Sequence, residues 1–259
     1  MLNEKNLIGS HRIDDQRLQW SLDFLLSCQN NDGGWASYEL QRDSKLLEWL
    51  NPSEIFSNIM IDYSYVECTS ACLQSLHKYS SLSNYRFQEI RSAIERGRHF
   101  LISKQRTDGS WYGSWAICFT YGTWFAVEGL IRTGEPLNSP TIVKAVEFLL
   151  SKQNQDGGWR ESYRSSIQRI YVNHQHSQII QTSWAILTLI LAQADRKCIE
   201  KGIRFILKEQ LSNGDWSQQS IVGVFNGNCM ISYTNYRNIF PIWALGRFIR
   251  FSIDQKQIS

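Results

Sequence analysis

One twelve-residue pattern occurs four times along the chain at identical internal spacing. It reads Phe, two aliphatics, two variable residues, Gln, two variable residues, Asp or Asn, Gly, one variable residue, Trp. The copies are FLLSCQNNDGGW (Phe24 to Trp35), FLISKQRTDGSW (Phe100 to Trp111), FLLSKQNQDGGW (Phe148 to Trp159) and FILKEQLSNGDW (Phe205 to Trp216). A repeat of this kind restricts the fold to an array, because each unit buries its apolar face only against its neighbours.

Each copy reads as the end of a helix. Apolar residues precede the Gln at helical spacing: Leu18, Leu22, Leu25 and Leu26; Ile142, Val146, Leu149 and Leu150; Ile199, Ile203, Ile206 and Leu207. The second copy has Ile94, Leu101 and Ile102 on this stripe, interrupted by Arg98. The Asp-Gly or Asn-Gly that follows tolerates positive φ and stops the helix. Gln29, Gln105, Gln153 and Gln210 are then expected to satisfy backbone groups freed at the helix end, while Trp35, Trp111, Trp159 and Trp216 cover it. That role is structural. A second helix is expected after each motif, at 67–80, 121–134, 181–194 and 236–251. Antiparallel helix pairs repeated in this way build a curved or closed α/α array.

Connections of unequal length separate each Trp from its second helix, at 36–66, 112–120, 160–180 and 217–235. Insertions at one point of every repeat fall on one face, commonly the binding face. Within the longest, Asn51 as N-cap, Pro52 at the first helical position and Glu54 suggest a short helix.

Composition narrows the function classes. The 259 residues suffice for one large domain or two small ones with a substantial core, and a net charge of +3 argues against a nucleic-acid binder. Aromatic residues make up 13%, with ten Trp, eleven Tyr and twelve Phe. That is more π surface than a core of this size requires. Cys28, Cys68, Cys72, Cys118, Cys198 and Cys229 are scattered without a CxxC pair and read as reduced intracellular thiols. The opening MLNEKNLIGSHRIDDQ has no apolar run of the secretory kind, and the apolar stretch from Trp184 to Ala192 is too short to span a bilayer.

The Gln-to-Trp repeats resemble the QW motifs of squalene and oxidosqualene cyclases. The segments LNPSEIFSNIMIDYSYVECTSA (50–71), DGSWYGSWAICFTYGTWF (108–125) and GVFNGNCMISYTNYRNIFPIWALGRF (223–248) are similar to the C-terminal third of oxidosqualene cyclases, the last closer to animal than to plant members. The resemblance runs from about Arg17 to Phe248, leaving 1–16 as an N-terminal segment and 17–259 as the cyclase portion. It implies an all-α fold, here part of an α/α toroid, and attachment to one leaflet of the endoplasmic reticulum membrane or a lipid droplet. It also implies cationic cyclisation of oxidosqualene to a triterpenol without cofactor or metal.

By the same resemblance, Tyr38, Trp115 and Phe225 line the cavity, with Tyr233 and Tyr236 close behind, and Phe56 and Ile59 lie along the path to the cavity floor. Aromatic faces there stabilise a migrating cation by about 2 kcal/mol or more each once desolvated. Cys68 corresponds to a cysteine that hydrogen-bonds the catalytic Asp. Each position has a packing alternative, since inward aromatics and thiols are usually core. His174 and His176 lack companion ligands and read as loop histidines.

The family's acid, an Asp in an Asp-Cys-Thr-Ala-Glu run, does not occur in these 259 residues, and Asp14-Asp15 lacks its context. The resemblance puts that acid, and a first toroid as packing partner, upstream of Met1. The chain alone is therefore expected to be inactive and to expose apolar surface that favours association. A non-catalytic lipid-binding or interaction module is the second reading. A protein prenyltransferase β-subunit shares the repeats but needs an Asp, Cys and His set holding zinc, for which the sequence has no constellation.

Overall fold

The structure is a computed structural model, and it describes residues 14–41, 44–225 and 227–256. Helices alternate between two layers. α1 (Asp15–Ser27), α3 (Phe87–Ser103), α5 (Pro140–Lys152) and α8 (Arg196–Lys208) end in the four motifs and form the outer layer. α2 (Val66–Ser80), α4 (Phe119–Arg132), α7 (Ile179–Leu191) and α9 (Tyr236–Lys256) pack side by side as the inner row. A short α6 (Arg164–Gln168) lies in the third insertion. Burial explains the layering. Every residue of α7 from Ile179 to Leu189 is buried, whereas α8 turns Ile199, Ile203 and Ile206 inward and leaves Lys197, Lys201 and Arg204 outside. Three of the four outer helices start on side-chain caps, Asp14 on α1, Ser139 ahead of Pro140 on α5, and Asp195 on α8, whereas α3 follows Arg86 without one.

The motif turns divide the labour differently from the expectation. The indole satisfies the helix end: Nε1–H of Trp35, Trp111, Trp159 and Trp216 donates to the carbonyl ten residues earlier at 2.6–2.9 Å. The Gln instead ties one repeat to the next. Nε2 of Gln29, Gln105 and Gln153 donates both to a carbonyl of its own turn glycine and to Ala93, Thr141 and Cys198, respectively, on the following outer helix. A threonine of the inner helix, Thr69, Thr123 or Thr182, accepts the backbone N–H of the first three tryptophans.

Three details depart from the sequence reading. The helix of the first insertion is a 3₁₀ turn at Lys45–Leu50 capped by Ser44, and Asn51 ends it rather than starting one. The following Pro52 biases Asn51 toward an extended conformation (ψ 113°), and its side chain holds Ser53 N and Phe56 O. Two short hairpins interrupt the all-helical pattern: β1 (Trp159–Glu161) with β2 (Asn173–Gln178), and β3 (Gly223–Phe225) with β4 (Cys229–Ile231). α4 and α7 begin two residues before their expected starts, because other repeats cap them. Glu161 accepts from Phe119 N and Thr120 N, and the side-chain Oε1 of Gln219 accepts from Ile179 N at 2.7 Å. Of the expected 1–16 segment, only Asp14 to Gln16 lie within the described residues. Among the described residues no helix is long and apolar enough to cross a membrane.

Candidate functional site

Backbone pairing between two insertions builds the site. Ile117 N donates to Val222 O at 2.7 Å, Val224 N donates to Trp115 O at 3.3 Å, and Ala116 bridges Gly223. This short ladder sets Trp115 beside Phe225, with ring centroids 4.9 Å apart. Phe56, from the first insertion, meets Phe225 edge-on at 5.5 Å. Tyr65 meets Trp115 at 5.6 Å from the residue before α2, where its amide is anchored on Trp35 O at 2.9 Å. Phe56, Tyr65, Trp115 and Phe225 thus form one cluster drawn from three insertions.

A second aromatic run adjoins the hairpin. Tyr233 lies 4.7 Å from Tyr236, which contacts Trp184 and Phe240, and Trp184 continues to Tyr121 at 5.0 Å. Gly223 permits the approach, since a Cβ there would collide with the Tyr233 ring. At the hairpin tip, Gly227 sits close to Ser57, Arg169 and Tyr112. The Arg169 guanidinium lies 4.3 Å above the Tyr112 ring, whose hydroxyl donates to Ser166 O. All four insertions therefore converge on one region, as their shared place in the repeat implied.

Two expected site residues stand apart from this cluster. Tyr38 is 78% exposed and is fixed through its backbone, which donates to Asp62 at 2.6 Å; Ile59 is also exposed. Cys68 is half-buried on α2 with its sulfur 3.9 Å from Ser37 Oγ. Burial, reinforced by the neighbouring Glu67, pushes its thiol up to about 11, so it is a neutral hydrogen-bonding group at ordinary pH. Cys72, one turn on, is pushed up to about 12 by burial. His174 and His176 lie on β2 rather than in a loop, and no metal-binding group of three or more His, Cys, Asp or Glu occurs among the described residues.

Sequence reasoning missed Tyr65 and two buried carboxylates. Glu67 accepts hydrogen bonds from Ser114 N at 2.6 Å and Trp115 N at 3.1 Å, and burial raises its pKa from 4.5 to about 7. Glu161, fully buried and likewise raised by burial, holds the start of α4. The available signal was an acidic residue inside each otherwise aromatic and polar insertion border, Tyr-Val-Glu-Cys and Trp-Arg-Glu-Ser. Chemically, the cluster offers π faces and little charge, an environment suited to an apolar ligand carrying a delocalised positive charge.

Comparison with known proteins gives the same family as these motifs. The model of the squalene-hopene cyclase C-terminal domain matches residues 2–250. Cycloartenol synthase of Dictyostelium discoideum is 55% identical over 247 residues, covering 94% of this chain and 35% of that protein. Human lanosterol synthase is 48% identical over 254 residues, covering 96% of this chain and 35% of that protein. Among solved structures, ent-copalyl diphosphate synthase from Streptomyces platensis shares the fold with a TM-score of 0.61 at 14% identity, over 86% of this chain and 37% of that one. The chain spans about a third of the length of the curated relatives it matches. With its repeats, its two-layer helices and these similarities, the chain belongs to the squalene-hopene cyclase C-terminal domain family.

Proposed function

We propose that this chain is the C-terminal, aromatic-walled part of a triterpene cyclase that converts oxidosqualene into a lanosterol-like cyclic alcohol. The observation that carries the reading is the four-ring cluster of Phe56, Tyr65, Trp115 and Phe225, assembled from three separate insertions. A carbocation held against such faces, away from water, is stabilised where charge develops and is protected from early quenching. Tyr233 and Tyr236 extend the wall, and Tyr38 and Ile59, exposed in this chain, complete it when the first toroid packs on this face. Cys68 hydrogen-bonds an Asp supplied by the sequence that relatives carry upstream. Residues 17–259 form the cyclase portion. One membrane leaflet, at the endoplasmic reticulum or a lipid droplet, is contacted through the exposed Ile239, Ile242, Ile249 and Ile253 of α9.

A second reading, a lipid-binding module that does no chemistry, would use the same ring faces. The deciding experiment reads the transcript upstream of Met1, expresses the complete frame in a host lacking its own cyclase, and analyses products from oxidosqualene. A cyclic triterpenol is expected from the complete frame, and none from the 259-residue chain. Unconverted oxidosqualene with folded, complete protein would sink the cyclase reading and leave the binding module.

A further inference from the structure

The insertion that carries Trp115 hangs on side chains of other repeats. Ser114 N and Trp115 N end on Glu67 Oε1, from the first unit. Phe119 N and Thr120 N end on the two oxygens of Glu161, from the third. The Ile117 carbonyl accepts from Gln181 Nε2 at 2.7 Å. Both carboxylates are buried, Glu67 with 4% exposure and Glu161 with none.

The two serve different ends. Glu161 uses both oxygens and also accepts the Thr120 hydroxyl at 2.8 Å, which makes it a cap for α4. Glu67 gathers two consecutive amides on one oxygen, while Oε2 is buried with no partner among the described residues. Two adjacent N–H groups converging on one atom fix the peptide plane between Ser114 and Trp115. Trp115 O is fixed on the other side by Val224 N. With both its peptides held, the Trp115 side chain leaves the backbone in one direction, onto Tyr65 and Phe225. An unpartnered buried carboxylate oxygen is costly. Packing alone would be met by an apolar residue at position 67.

We propose that Glu67 is a positioning residue that sets the ring face Trp115 presents to a cationic lipid. The assignment deepens the proposed function and rests on reading the cluster as a cation-stabilising wall. Tyr65 and Cys68 flank Glu67 on its own segment, Tyr112 and Cys118 face it from the second insertion, and Tyr121 faces it from α4; no basic side chain pairs with it among the described residues.

The test uses the 259-residue chain with ¹⁵N-labelled tryptophan and a squalene-derived tertiary amine in detergent micelles as the probe. Loss of one indole resonance in Trp115→Phe assigns Trp115. Glu67→Gln keeps an oxygen acceptor and is expected to leave the Trp115 resonance in place, with amine affinity within about twofold of the parent. Glu67→Ala and Glu67→Asp remove or withdraw that oxygen. Each is expected to shift or broaden the Trp115 resonance selectively and to weaken amine binding about tenfold. Should Glu67→Ala fail to fold, Glu67→Asp carries the comparison. An unmoved Trp115 resonance in the folded Ala or Asp variant overturns the assignment, as does a Gln variant that behaves like Asp. If the parent chain does not bind the amine, the cation-wall reading fails, while the amine-free spectra still decide whether Glu67 positions Trp115.

Discussion

The third and fourth motif turns share a sequence pattern but not a set of partners. In the third, Gln153 reaches Gly157 O and, across to α8, Cys198 O, both at 2.9 Å; Trp159 N donates to Thr182 at 3.0 Å. Gly157 lies against the Lys201 carbonyl. In the fourth, Gln210 reaches Gly214 O at 2.8 Å and no second carbonyl among the described residues, and a Cβ on Gly214 would meet nothing within 4 Å. Asp215 Oδ1 takes the threonine's place, accepting Trp216 N at 2.7 Å, while Arg237 donates to Trp216 O and pairs with Asp215. The motif therefore has a local half, which shapes the turn, and an inter-repeat half, which needs a following outer helix. The fourth turn has only the first.

The tryptophans belong to the local half, so they should not distinguish the two turns. Trp159→Ala and Trp216→Ala are each expected to cost about 3–5 kcal/mol in urea unfolding. A large gap between them would break the division. The glycines should distinguish the turns clearly. Both have positive φ, 92° and 85°, so alanine costs about 1–2 kcal/mol at either position. Only Gly157→Ala adds a backbone collision with α8, for a total of about 3 kcal/mol or more.

A second pair, Glu67 and Glu161, predicts the pH response. For an acid whose folded pKa is raised from 4.5 to about 7, stability is fully present below pH 4.5. It is lost as pH rises through 7, because the unfolded chain releases its proton first. For Glu67 the interval amounts to on the order of 3 kcal/mol, and Glu161 acts in the same direction. Unfolding midpoints measured at pH 5 and pH 8 should converge in Glu67→Gln relative to the parent. An unchanged difference would contradict the buried carboxyl. The smallest contrast is between the glutamines. Gln153→Ala orphans two carbonyls and is expected to cost about 2 kcal/mol, against about 0.5 for the more exposed Gln210.

Much of this architecture was legible in the sequence because it is periodic. Spacing alone located the four helix ends, the inner helices to within a few residues, and the insertions that converge on the cluster. The missed features are those in which distant residues meet. Nothing local to 119–121 or 179–181 says that those helices begin early, since Glu161 and Gln219 cap them from elsewhere in the chain. Asn51-Pro52 carries a helix-start pattern that the Ser44-capped 3₁₀ turn pre-empts. Within the site, Trp115, Phe225, Phe56, Tyr233 and Tyr236 were named from family resemblance, whereas Tyr65 and Glu67 act through contacts between insertions that have no sequence period. Tyr38 and Ile59 were named in the same way, yet they sit on exposed surface in this chain.

The most direct test of the central claim is product analysis of the complete reading frame carrying Trp115→Ala, supplied with oxidosqualene. Losing one π face removes about 2 kcal/mol from a cation held against it, so incompletely cyclised alcohols should accumulate while total cyclic product falls. An unchanged product, in both identity and amount, would show that this aromatic cluster is core packing and not the wall of a cyclase cavity.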